Sequence, residues 1–145
     1  MKITIIKDAA IAETEITVRC ADMTEELTEI LSHISLIDHN CAGKANGETF
    51  FIPMKDILYF ESVDEKVFFY TANETYESTA KLCQIEERLT GTPFARISKT
   101  VIANLKKMRS IKSAEHSRLM ATMTNGEKLV VSRRYVSEIK EKLGV

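Results

Sequence analysis

The 145-residue sequence predicts a mainly β, α+β domain built of short antiparallel strands with two or three helices. Short stretches of alternating apolar and polar residues recur along most of the chain, and turn-forming pairs such as Asn46-Gly47 and Asn125-Gly126 separate them. Helical periodicity is confined to a few brief segments. An apolar content of 44%, with no repeat, low-complexity tract or Pro/Gly/Ser linker, fits an ordinary globular chain with a substantial core.

Ile3 and Ile5, then Ile16, Val18 and Cys20, alternate with polar residues and predict two strands around the acidic turn Lys7 to Thr14. Asp22, with Glu25 three positions on, is the expected N-cap of a first helix running to about His33. Leu27, Ile30, Leu31 and Ile34 share one face of it. Strands are then expected at 36–43, 48–52, 57–62, 66–71 and 75–78. The first two meet at Ala45-Asn46-Gly47 and the last two at Ala72-Asn73-Glu74. Leu82, Ile85, Glu86 and Leu89 mark a helix over 79–90, stopped by Gly91 and Pro93. Strands return at 94–97, 108–114, 118–124 and 128–131. A last helix starts after Ser132 and carries Val136, Ile139 and Leu143 on one face. This divides the chain into a β-β-α extension, 1–35, packed on a main domain, 36–145.

The net charge of −1 hides a strong asymmetry. Residues 1–90 hold 8 basic and 17 acidic side chains, whereas residues 91–145 hold 12 basic and 4 acidic ones. A basic third of this kind suits nucleic acid, or else an acidic protein or anionic membrane bound by an adaptor. No secretory signal or membrane-spanning run is present, so the expected location is the cytoplasm. Cys20, Cys41 and Cys83 are odd in number and widely spaced, which suits reduced thiols.

Enzymatic motifs are lacking. There is no Gly-x-Gly-x-x-Gly, Walker loop or Gly-x-Ser-x-Gly, and neither a small-molecule substrate nor a cofactor is expected. His33, His39 and Cys41 are near one another in sequence, but their placement at a helix end and a strand start argues against a metal site. The stretch 94–107 is more distinctive: Arg96, Ser98, Lys99, Thr100, Asn104, Lys106 and Lys107 can neutralise phosphates or bond base edges. The competing reading is a polar strand edge with Asn104 in a turn. A second group, Ser132, Arg133 and Arg134, opens the last helix, where each arginine opposes the helix dipole by up to about 1 kcal/mol. An anion bound there removes the conflict. Side chains turned into solvent would reduce it as well.

Read in order, Asp56-Ile57-Leu58-Tyr59-Phe60-Glu61-Ser62, Glu86-Glu87-Arg88-Leu89, Phe94-x-Arg96-Ile97-x-Lys99-Thr100 to Asn104, Asn125-Gly126 and Val131-Ser132-Arg133-Arg134-Tyr135 resemble the LytTR family of bacterial DNA-binding domains over about residues 36–143. The resemblance implies an elongated domain that contacts double-stranded DNA through loops rather than a recognition helix. It also implies a transcriptional regulator acting as two protomers, a homodimer at least on DNA, on paired direct repeats. The DNA-facing candidates it implies are the Asp64 to Val67 turn with Lys66, Arg96 to Thr100 with Asn104, and Arg133-Arg134. Among these, Lys99 and Arg134 correspond to base-reading positions. The family often has His where this chain has Ser98, and Ser where it has Thr100. Many members follow a receiver domain, for which the 35 residues ahead of the match are too few. Stand-alone members are often paired with a small regulatory membrane protein.

Overall fold

The computed structural model describes residues 1–35 and 39–145, so the start of the strand expected at 36–43 lies outside the described residues. Three helices are present among them: α1 (Glu25–Ser35), α2 (Leu82–Arg88) and α3 (Val136–Leu143). Ten strands accompany them: β1 (Asn40–Ala45), β2 (Glu48–Pro53), β3 (Tyr59–Val63), β4 (Lys66–Tyr70), β5 (Thr75–Ser78), β6 (Phe94–Arg96), β7 (Val101–Asn104), β8 (Met108–Ala114), β9 (Arg118–Met123) and β10 (Lys128–Val131). The strands form a seven-stranded antiparallel sheet, ordered β2-β1-β5-β4-β3-β7-β6, and a three-stranded sheet, β10-β9-β8.

Alternation along the strands builds two cores. On one face Phe60, Val67, Phe69, Tyr76, Phe94 and Ile102 pack with Leu82 and Ile85 of α2 and with Leu89, which caps it. On the other, Tyr59, Ala95, Val101 and Ala103 pack with Leu119, Ala121 and Met123 of β9, Val131 of β10 and Ile139 of α3. Strands β3, β7 and β6 are therefore covered on both sides. Gly43 in β1 makes room for this packing, because a Cβ there would lie 2.6 Å or less from the Phe69 ring and Tyr76.

The structure corrects three expectations. First, the pattern predicts no strand between 97 and 108, yet β7 forms there with Val101, Ile102, Ala103 and Asn104 all buried. A strand covered on both faces loses the alternation that marks a half-buried one, so Val-Ile-Ala carries no period-two signal. Second, the strands expected at Ile3–Ile6 and Ile16–Cys20 do not form in the single chain: residues 1–24 contain no strand, and their apolar side chains are exposed. Third, Thr24 rather than Asp22 caps α1, with its Oγ1 accepting from the Leu27 N–H at 3.1 Å. Leu27, Ile30 and Ile34 are half-buried. Thr28, Glu29 and His33 of α1 border a groove of about 390 Å³ shared with Pro93, Lys106 and Leu143.

Candidate nucleic-acid interface

Three loops meet at the start of β7. Because β3 and β7 are antiparallel neighbours, the end of β3 and its hairpin to β4 lie beside residues 97–100, and the Ser62 N–H donates to the Thr100 carbonyl at 2.8 Å. The Ser132 N–H donates to the Ile97 carbonyl, also at 2.8 Å, and brings in the turn that precedes α3. Within the middle loop, the Thr100 N–H donates to Ser98 Oγ at 3.3 Å. Ile97, fully buried in the second core, anchors the loop from beneath. Backbone hydrogen bonds thus hold the three segments in register with one another.

Their side chains differ in availability. Lys66, Lys99, Thr100, Arg133 and Arg134 are exposed, whereas Ser98 and Ser132 are half-buried. Lys66 opens β4 directly after Asp64 and Glu65, which both adopt positive φ, 49° and 67°, as a two-residue hairpin turn requires. Such conformations are strained for residues with a Cβ, so this tip holds a shape that glycine would adopt more readily. Arg133 and Arg134 lie in a 3-10 turn, Arg133–Tyr135, rather than in the first turn of α3 itself. The Arg134 guanidinium lies 5.6 Å from the centre of the Tyr135 ring.

Arg96 faces inward. Its Nη1 pairs with Glu86 Oε2 of α2 at 2.8 Å, and its Nη2 donates to the Lys99 carbonyl at 3.0 Å. The guanidinium therefore ties the Lys99 loop to the helix beneath. The sequence marks Glu86 as part of a helical pattern and of the family motifs, and no spacing in it relates Glu86 to Lys99. Asn104 also leaves the surface: it is 3% exposed, its Nδ2 donates to the Ile57 carbonyl at 3.0 Å, and its Oδ1 accepts from the Lys106 N–H at 3.1 Å. Both polar ends of that amide are used within the chain. Lys106 and Lys107 lie in a 3-10 turn beyond the opposite end of β7, away from the other cations by a strand of about 3.3 Å per residue.

The strands beside β7 are braced along its length by aromatic and carboxylate groups, with Tyr59 opposite Ala103 and Glu61 opposite Val101. Tyr59 and Tyr70 stack with ring centres 4.4 Å apart, and the Tyr70 hydroxyl donates to Glu61 Oε1 at 3.1 Å. Burial, and then the Glu61 charge, push the Tyr70 hydroxyl up to about 12. Burial followed by a hydrogen bond to Glu127 moves Tyr59 further in the same direction. Burial likewise raises the Cys41 thiol to about 11, which makes it a poor nucleophile. Among the described residues no three His, Cys, Asp or Glu side chains cluster as a metal site, and no helix is long and apolar enough to cross a membrane.

Comparison with known proteins converges on one family. The family model of the LytTr DNA-binding domain matches residues 47–144. The sensory transduction protein LytT of Enterococcus faecalis is 36% identical over 89 residues, which cover 61% of this chain but only 37% of LytT. An uncharacterised HTH-type transcriptional regulator of Staphylococcus aureus strain MSSA476 is 24% identical over 147 residues, covering 100% of this chain and 99% of that protein. In this chain, among the described residues, no two α-helices are joined by a short turn. A solved LytTr DNA-binding domain from Bacillus cereus is similar with a TM-score of 0.70 at 25% identity, covering 74% of this chain and 99% of that one. With the family model matching more than half of its length and a LytTr fold beneath it, the chain belongs to the LytTr DNA-binding domain family, whose members are DNA-binding regulators and not enzymes.

Proposed function

We propose that the chain regulates transcription by sequence-specific binding of double-stranded DNA, two protomers occupying paired direct repeats, with the three loops at the start of β7 as the contact surface. The observation that carries this reading is the pair of backbone hydrogen bonds, Ser62 to Thr100 and Ser132 to Ile97, that aligns three cation-bearing segments side by side. Lys99 and Arg134 are the base readers, since Arg bonds guanine O6 and N7 together and both side chains are exposed. Lys66 and Arg133 contact phosphates, and Ser98, Thr100 and Ser132 supply shorter polar contacts. Arg96 is a positioning residue for the Lys99 loop, while Asn104 serves the fold. Lys106 and Lys107 add charge without reading bases. Acting on DNA places the protein in the cytoplasm, and the family resemblance favours a small membrane protein as its restraint.

Selection of bound duplexes from a random pool, repeated at low and high salt, tests the reading. A recovered motif, repeated at fixed spacing and retained against competitor DNA, is expected. Binding that falls with salt yet enriches no motif would leave a general polyanion surface instead.

A further inference from the structure

The seven-stranded sheet ends in one unprotected edge. Strand β6, at the opposite edge, has three residues and ends in Arg96. In the smaller sheet, β8 has a bulge and carries Arg109 and Lys112, and β10 is four residues long with Lys128. These are the usual means by which edges avoid further pairing. Strand β2 is different: between Glu48 and Pro53 it presents Thr49-Phe50-Phe51-Ile52 with no charge, and Phe51 is 70% exposed. Its outer row of N–H and C=O groups has no neighbouring strand among the described residues.

The same chain carries an unpaired strand-like segment. Of the thirteen large apolar side chains exposed among the described residues, nine lie between Met1 and Leu31, including Ile3, Ile5, Ile6, Ile16 and Val18. Among the described residues, 1–7 and 12–20 make no backbone hydrogen bond; the local turn is held by the Ile11 N–H donating to the Asp8 carbonyl. An alternating, β-branched sequence with free backbone groups and an open, uncharged sheet edge are complementary requirements, and the single chain meets neither.

We propose that residues 1–24 form an exchange arm that pairs along β2 of a second copy of the chain, the second copy returning its own arm to the first. Reciprocity makes the contact isologous in the DNA-free dimer, so it closes at two copies rather than growing into a filament; on direct repeats the two sheets lie head to tail, each still carrying its partner's arm. Each arm buries its isoleucines beside the partner's Phe51 and supplies the backbone partners that β2 lacks. The proposal does not depend on how the loops read DNA, because its test contains none.

Sedimentation of the full chain should give a species of twice the 16.4 kDa chain mass. Phe51→Lys and Ile5→Lys, both at exposed positions, should each shift it to monomer while leaving the far-ultraviolet circular dichroism of the folded sheet in place. A monomeric unsubstituted chain, or a dimer that survives both changes, would overturn the proposal. Oxidation of a mixture of an Ile5→Cys chain and a size-tagged Phe51→Cys chain, both lacking Cys20 and Cys83, should give the mixed-size adduct. A chain bearing both cysteines that closes only on itself would show that the arm pairs within one copy, and would equally overturn it.

Discussion

The two ends of β7 carry similar lysines in unlike surroundings. At the start of the strand, Lys99 and Thr100 stand exposed on a loop whose backbone is tied to β3 and to the turn before α3. At its end, Lys106 and Lys107 follow Asn104, a buried amide whose hydrogen bonds close the fold. The comparison teaches that basic residues a few positions apart in sequence serve different purposes once a strand separates them. One end is assembled from several segments to present side chains; the other is braced to hold the sheets together.

The largest effect should come from the braced end. Asn104→Ala leaves the Ile57 carbonyl and the Lys106 N–H without their partner, at about 1–3 kcal/mol for the buried carbonyl and less for the part-buried N–H. Denaturant unfolding should show a loss of about 3 kcal/mol, and DNA preference should persist in whatever fraction stays folded. A variant of unchanged stability that had lost DNA preference would return Asn104 to the interface and break the contrast.

Next in size are changes at the presenting end. Arg134→Ala should reduce binding to the preferred site by about 1–3 kcal/mol relative to random duplex, and Arg134→Lys should restore charge without restoring discrimination. Lys99→Ala should relax preference at a different base pair of the same half-site. Equal weakening of specific and random DNA would make either residue a phosphate anchor. Glu86→Gln removes the charge opposite Arg96 and should loosen the Lys99 loop, lowering preference less than Lys99→Ala does while the melting temperature changes little.

The sheet between the two ends should also respond to alkaline pH. The folded chain keeps the Tyr70 hydroxyl protonated up to about 12 against an ordinary value of 10.0, so the unfolded chain releases its proton first. Stability from this group is therefore complete below pH 10 and is lost as pH rises from there toward 12. Unfolding measured across that range should show the decline, and Tyr70→Phe should lessen it while Tyr59 and Cys41, raised in the same direction, keep the remainder. The smallest effect on recognition belongs to Lys106 and Lys107: reversing both to Glu should weaken all duplexes alike and leave the ratio of preferred to random binding unchanged.

Much of this architecture was legible in advance where local chemistry decides structure. Strands β5, β8 and β10 match the expected ranges, and β9 ends one residue early, because alternation and turn residues such as Asn125-Gly126 act over a few neighbouring positions. The order of the motifs likewise marked the Lys66, Lys99 and Arg134 segments as candidates. Asn104 was misplaced because a buried capping amide and a surface DNA contact look the same in one dimension. Arg96 looks like a surface cation in the sequence for a similar reason: nothing local reveals Glu86 ten positions upstream.

By itself the sequence determined the β-rich class, the basic C-terminal third and the short helices, all of which follow from periodicity, composition and turn chemistry. Only the tertiary structure decided that Val101–Asn104 is a strand covered on both faces, that three separate loops converge at one of its ends, and that Ile3–Cys20 finds no strand partner among the described residues. The physical reason is that burial on two faces, hydrogen bonds between distant carbonyls and amides, and the pairing of a sheet edge depend on groups far apart in the chain. Local pattern can supply the pieces, but it holds no information about which distant backbone each one meets.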